Sequence, residues 1–247
     1  MRADEAMSLT RRAAIAFVVA ALAIAGGAGA QTQSDPGEIH GLKLGLQAQT
    51  MTLDGWGELA CGSNGGPPRQ ELDAWSDFKK CRPEASGLRE VTARFDDEDE
   101  YVAKALGEPA YAGRQTGTRV AGHPVVFSAL FDDAGILRGI RIVSDPRARP
   151  AERRMAHLLG VAVINRYGTD GWNCTDFPPA EGESAVGGVF IKQRCDKTTP
   201  ERLLTVETHF LRKSGQHDID PSTHEYTQGA FDSWTRFELF DPNYRKP

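Results

Sequence analysis

The stretch Val125-Val126-Phe127-Ser128-Ala129-Leu130-Phe131, followed by Asp132-Asp133-Ala134-Gly135 and Ile136-Leu137-Arg138-Gly139-Ile140-Arg141-Ile142-Val143-Ser144, is the clearest hairpin in the chain. Alternation puts Val125, Phe127, Ala129 and Phe131 on one face, and Ile140 and Ile142 on one face of the return strand. The Asp-Asp-Ala-Gly segment supplies a turn, with glycine available for a left-handed position. The hairpin is expected over 120–131 and 136–144.

Working outward, the run at 150–167 predicts the longest helix. Proline opens it, Gly168 closes it, and Met155, Leu158, Leu159, Ala162 and Val163 form an apolar stripe. Beyond it, 189–195, 203–213 and 233–240 alternate as strands, with Leu204, Val206, Thr208 and Phe210 inward and Thr205, Glu207 and His209 outward. Toward the N-terminus, 87–95 reads as a half-buried strand, with Val91, Ala93 and Phe95 on one face and Glu90, Thr92 and Arg94 on the other. The carboxylates at 96–100 favour a helix N-terminus, and Gly107 with Pro109 ends a short helix at about 97–106. A calcium loop would need an interleaved glycine and alternating ligands, which this run lacks. Gly62-Ser63-Asn64-Gly65-Gly66-Pro67-Pro68 cannot hold helix or strand and reads as a loop. The order of elements predicts an α+β fold, with helices packed on antiparallel sheet.

The N-terminal end sets the chemical environment. Arg11 and Arg12 precede an apolar run at 13–25, which closes on Gly26-Gly27-Ala28-Gly29-Ala30. That is the pattern of a secretory signal peptide over 1–30, cleaved after Ala30 to leave Gln31 first. The run is shorter than the roughly 20 apolar residues a bilayer requires. Thr10-Arg11-Arg12 also admits a twin-arginine route, and Met7 is an alternative start, since Asp4 and Glu5 sit oddly before a basic region. Residues 31–37 read as a flexible lead. The chain carries a net charge of −5, and loss of Arg2, Arg11, Arg12, Asp4 and Glu5 makes it one unit more acidic. With no basic block, it is a poor partner for nucleic acid, whose binding rests on phosphate neutralisation. No second hydrophobic stretch reaches membrane length.

Four cysteines in an exported chain point to disulfides. Three pairings are open. Near-equal spacings of 20 and 21, one pair in each half, favour Cys61–Cys81 and Cys174–Cys195. Loops of that size should each stabilise the fold by about 3 kcal/mol. The surroundings echo one another: Asp54-Gly55-Trp56 and Asp170-Gly171-Trp172, then the cysteines, then Leu88, Val91, Phe95 and Leu203, Val206, Phe210, all at offsets of 113 to 116. Chance recurrence of short motifs is the alternative to duplication. Duplication gives two related modules, 38–147 and 148–247, each with its own disulfide.

No cofactor loop, zinc box or H-E-x-x-H helix is present. Ser184, in Gly182-Glu183-Ser184-Ala185-Val186-Gly187, misses the spacing of a nucleophile elbow and reads as a turn serine. His217, Asp218, Asp220 and His224 could hold a divalent cation, although a solvated loop rich in turn formers accounts for them equally. His209 reads as facing solvent, and His157 as a neighbour of the apolar stripe. Trp56 and Trp172 could stack on a ligand or pack against the disulfides.

Gly87-Leu88-Arg89-Glu90-Val91, Phe95-Asp96-Asp97-Glu98, Gly139-Ile140-Arg141-Ile142-Val143 and Thr235-Arg236-Phe237-Glu238-Leu239 together resemble exported bacterial proteins of unknown function. Ala105-Leu106-Gly107-Glu108-Pro109 before a hairpin is similar to the helix-plus-sheet modules of β-lactamase-inhibitor-like folds. That resemblance implies protein binding or envelope assembly. The paired modules, and a sequence without nucleophile, metal box or cofactor loop, lead to the expectation of a non-enzymatic periplasmic or secreted binding or scaffolding protein, without cofactor, whose partner is another envelope protein or peptide. The rival is a hydrolase of envelope polymers using two of Asp170, Glu181, Glu183, Asp218 and Asp220, which would require two carboxyls about 5–10 Å apart.

Overall fold

The computed structural model describes residues 39–95, 118–216, 222–224 and 231–244. The export stretch 1–30, the lead 31–37, the acidic run with its helix at 97–106, the Ala105–Pro109 motif, and His217, Asp218 and Asp220 lie outside the described residues.

Strand is the commonest regular element among the described residues. The strands are β1 (Trp56–Cys61), β2 (Arg89–Phe95), β3 (Arg119–Val120), β4 (His123–Phe131), β5 (Leu137–Ser144), β6 (Asn173–Asp176), β7 (Ile191–Thr198), β8 (Leu203–Leu211) and β9 (Asp232–Phe240). They form one antiparallel sheet in the order β1-β2-β4-β5-β9-β8-β7-β6, with β3 beside β4. The hairpin at β4 and β5 is as read from the sequence: Asp132 Oδ1 accepts from the backbone N–H groups of Ala134 and Ile136, and Phe127 lies opposite Ile142.

The α+β expectation is overturned, because this is a largely β fold. Among the described residues the α-helices are two short ones, α1 (Pro150–Arg154) and α2 (Leu158–Arg166). The single helix expected at 150–167 breaks at Met155-Ala156-His157, and the cause is a competing set of tertiary bonds. Ser233 Oγ donates to the carbonyl of Arg154 at 3.1 Å, Thr235 Oγ1 donates to that of Ala156 at 2.9 Å, and the His157 N–H donates to Ser233 Oγ at 3.2 Å. Strand β9 thus takes the backbone groups that a continuous helix would pair internally. The expected stripe is cut accordingly: Leu159 and Val163 are buried, whereas Met155 is exposed.

Nor do the two expected modules form separate bodies with helices on sheet. The boundary at 147/148 falls between β5 and α1, and the sheet crosses it through the β5–β9 pairing, Gly139 opposite Phe240 to Val143 opposite Arg236. One hydrophobic cluster draws on both halves, from Trp56, Trp75, Phe127 and Phe131 to Val206, Phe237 and Leu239. The echoed motifs match in part, with Cys61 and Cys174 on the two end strands of the sheet and Val91 and Val206 buried in β2 and β8, and differ elsewhere. Cys81 follows a 3-10 turn at Trp75–Lys80, whereas Cys195 is mid-strand in β7. Trp56 is buried in β1 against Trp75, Phe95 and Phe127; Trp172 is half-buried ahead of β6, with Lys197 over its ring.

Both cysteine pairs are bonded, Cys61 to Cys81 and Cys174 to Cys195, with Cα–Cα distances of 5.2 and 4.0 Å. Register gives the sheet two distinct faces. Val91, Phe127, Ile142, Phe237 and Val206 share the face that carries α2 and the core. The helix crosses β8 at Gly160, where a Cβ would stand 2.3 Å from Thr208 Oγ1. Gly160→Ala should therefore lower the unfolding free energy by about 1–3 kcal/mol in urea titration. Thr208→Ala in the same chain should recover part of that loss, and an additive pair would locate the strain elsewhere.

Candidate functional site: a charged face and an open edge

The second face of the sheet is polar, and half of it is roofed. Arg141 follows Ile140 on β5, so alternation turns it away from the core. Glu90 and Thr92 do the same on β2, and Arg236 and Glu238 on β9. Sequence alternation placed Glu90 and Thr92 on an outer face, yet both are buried, at 2% and 4% exposure. The loop at 62–66 returns over them. Glu90 accepts from the backbone N–H groups of Asn64 and Gly65, the latter at 2.9 Å. Gly65 has φ +79°, and a side chain there would meet Val143 at 2.5 Å. Only glycine allows this turn and this approach.

Beneath that roof, Arg141 is 4% exposed and fully engaged. It forks onto Glu84 at 2.6 and 3.1 Å, reaches Glu238 through Nε at 2.7 Å, and lies 3.2 Å from Glu90. Arg236 completes the network, donating to Glu238 at 2.7 Å and to the Asn64 carbonyl and side chain at 3.0 and 2.6 Å. Burial by itself would raise the Glu90 carboxyl, but the Arg141 charge, with bonds from Gly65 and Asn64, holds it below the ordinary value. Burial likewise opposes the Arg141 charge, and Glu84, Glu90 and Glu238 more than restore it. A cavity of about 480 Å³ opens beside the cluster, lined by Asn64, Glu84, Arg141, Arg236, Glu238 and Phe240. The charged groups facing it are spent on one another. The cluster ties β2, β5, β9 and the loop at 62–66 together as a clamp.

One serine and one histidine also meet, unforeseen from sequence. His157 Nδ1 lies 3.3 Å from Ser233 Oγ, beside a cavity of about 230 Å³ lined by Asp145, Arg153, Asp232 and Ser233. The Ser233 proton is directed to the Arg154 carbonyl. Burial lowers the His157 pKa, against the bond to the Arg154 carbonyl that raises it. The pair therefore fastens the helix break to β9, and no proton relay through Ser233 is laid out.

Of the acids considered from sequence, Asp218 and Asp220 lie outside the described residues. Asp170 and Glu181 are exposed on the segment around β6, and Glu183 is bonded to Lys192 at 2.8 Å. His224 is exposed in a turn. Among the described residues no three His, Cys, Asp or Glu side chains gather as a metal site. Ser184 pairs its backbone with Arg212 in a loop. His209 is half-buried, stacked on Trp234 at 4.1 Å and 3.2 Å from Glu207; burial lowers its pKa, partly offset by Glu207.

The two edges of the sheet differ. Strand β1 is sealed by the returning chain: the Cys61 N–H donates to the Gln70 carbonyl, Arg69 N–H to Cys61, and Leu72 N–H to Leu59, at 2.7 to 2.9 Å. Among the described residues no strand or loop backbone pairs with the outer side of strand β6, and all four of its residues are exposed. The Phe177 N–H donates to the Lys192 carbonyl, so the alternation of an antiparallel ladder turns Asn173 and Thr175 toward β7. The N–H and C=O groups of Cys174 and Asp176 point away from the sheet. No strand is read here from the sequence, because Asn173, Cys174, Thr175 and Asp176 show no apolar alternation.

Comparison with protein-family models, curated proteins and solved structures finds no match for this chain.

Two outcomes follow for the clamp. Arg141→Met strands Glu90 in the interior and should cost about 3–5 kcal/mol at pH 7, read by urea denaturation. The Glu90 pKa is depressed on folding, so its contribution is complete above the unfolded carboxyl value and drains as pH falls through the folded one. Glu90→Gln should accordingly show a shallower acid limb of stability against pH than the parent. A limb of the same slope would assign acid unfolding to other carboxyls.

Proposed function

We propose that this chain is a non-enzymatic binding or scaffolding protein that works in the periplasm or outside the cell and holds another envelope protein or peptide. The observation that carries the reading is the bare β6 edge. Backbone donors and acceptors at a sheet edge are a template for another strand, and proteins with no use for them cover them. Here one edge is covered by the chain itself and the other is left open. The export pattern at 1–30 and the two disulfides support an oxidising compartment. Among the described residues no helix is long and apolar enough to cross a membrane. The two polar clusters beside cavities are tied into internal bonds, which fits a chain whose surface binds and whose interior only holds shape.

A photo-crosslinking residue placed at Thr175 leaves the outward groups of Cys174 and Asp176 in place. In the native host it should give a discrete adduct in the periplasmic or secreted fraction, whereas the same residue at Arg69, on the sealed edge, should give none. Adducts from neither position, or equally from both, would remove the edge as a binding surface.

A further inference from the structure

We infer that the β6 edge receives a basic, extended peptide segment, which adds to the sheet as a further antiparallel or parallel strand. The inference rests on the binding reading above and names the chemistry of the occupant. Three observations converge on it.

The first is the pattern of free backbone groups. Cys174 and Asp176 present their N–H and C=O groups outward, two residues apart, which is the spacing of ladder bonds along one strand side. The second is rigidity. The disulfide from Cys174 to Cys195 ties the edge to β7, where Cys195 is buried in the core. An edge fixed in its extended form loses little freedom when a strand is added.

Charge is the third. From Gly168 to Gly188 the sequence holds Asp170, Asp176, Glu181 and Glu183 and no lysine or arginine, while on the adjoining β7 Arg194 is paired with Asp196 and Lys197 is bonded to the carbonyls of Tyr167 and Gly168. Glu183 is neutralised by Lys192, and Asp176 accepts a bond from the uncharged Gln193 side chain. Asp170 and Glu181 are exposed and make no ion pair among the described residues. This acidity also selects against a second copy of the chain. In the antiparallel register that engages Cys174 and Asp176 of both copies, the two Asp176 carboxylates share one face on a diagonal of roughly 7–8 Å, and like charges so placed repel. An incoming strand with lysine or arginine at alternate positions meets the opposite sign instead.

The experiment uses the mature chain with both disulfides intact and three capped hexapeptides: alternating lysine and valine, alternating glutamate and valine, and the lysine peptide with alternate backbone nitrogens methylated. Affinity is read by fluorescence anisotropy, and amide exchange at Cys174 and Asp176 by NMR. The lysine peptide should bind at least tenfold more tightly than either of the others and slow exchange at both amides. Its affinity should fall several-fold between 50 and 300 mM salt, as about the ordinary screening of exposed charges requires. Asp170→Asn with Asp176→Asn should weaken it about fivefold by lowering edge charge. Asp176→Pro, which removes an outward donor at a position an edge strand tolerates, should abolish protection at Cys174.

Equal binding of the glutamate peptide would overturn the basic occupant and leave edge addition standing. Binding without amide protection would overturn edge addition. A concentration-dependent dimer with the same two amides protected would assign the edge to a second copy. Failure of all three peptides, with adducts from Thr175 still formed in the host, would overturn this inference while the binding reading survives. Failure of both would remove both.

Discussion

Arg141 is the residue on which the two halves of this sheet depend. A guanidinium almost wholly withdrawn from water is costly unless it is neutralised and its donors are taken. The partners that meet this demand come from three separated stretches: Glu84 ahead of β2, Glu90 on β2 and Glu238 on β9. Satisfying one side chain therefore fixes the seam between β5 and β9 and the neighbouring β2. It also fixes the loop that Arg236 and Glu90 hold through Asn64 and Gly65. A one-residue slip of β9 against β5 would carry Glu238 to the core face and bring Leu239 beside Arg141. The network need not add much net stability to serve as a register lock, because the alternatives leave charges buried without partners.

The same logic explains why the molecule is asymmetric about its sheet. The core face is filled by aromatic packing in the first half, where Trp56 contacts Trp75, Phe95 and Phe127, and by a short helix in the second. Among the described residues the polar face is roofed in the first half, by the loop at 62–66. In the second it keeps its charges in water, as with Arg194 and Asp196, which pair at 2.9 Å and are half-exposed. A sheet stabilised in this way needs no second layer over β6 to β8, and that freedom leaves the far edge accessible.

Local pattern made much of the sheet legible. Strands β4, β5, β8 and β9 were visible because period-two alternation survives where one face is buried, as Leu204, Val206 and Thr208 show. The cysteine partners were legible because each pair closes a short loop. The helix at 150–167 was misread because its periodicity is real on both sides of Ala156, and nothing local reports that Ser233 and Thr235, nearly 80 residues on, capture its carbonyls. The echo of Asp-Gly-Trp and cysteine motifs suggested modules, but equivalent residues fell on a strand in one half and beside a 3-10 turn in the other. The charged cluster escaped notice for a related reason. Alternation turned Glu90 outward correctly, but whether outward means wet depends on a glycine-rich loop whose path is set by long-range bonds.

Edge strands are the part of a β protein least recorded in its sequence, since half of their backbone groups answer to nothing in the chain. Asn173-Cys174-Thr175-Asp176 carries no apolar alternation, and only its disulfide and its pairing with β7 make it a strand. A strand held by covalent attachment does not need a hydrophobic face to remain extended. It can therefore carry a surface of polar and acidic residues while its outward amides remain in place. The feature that made this segment illegible as structure, its lack of buried side chains, is the one that leaves its chemistry free for a partner.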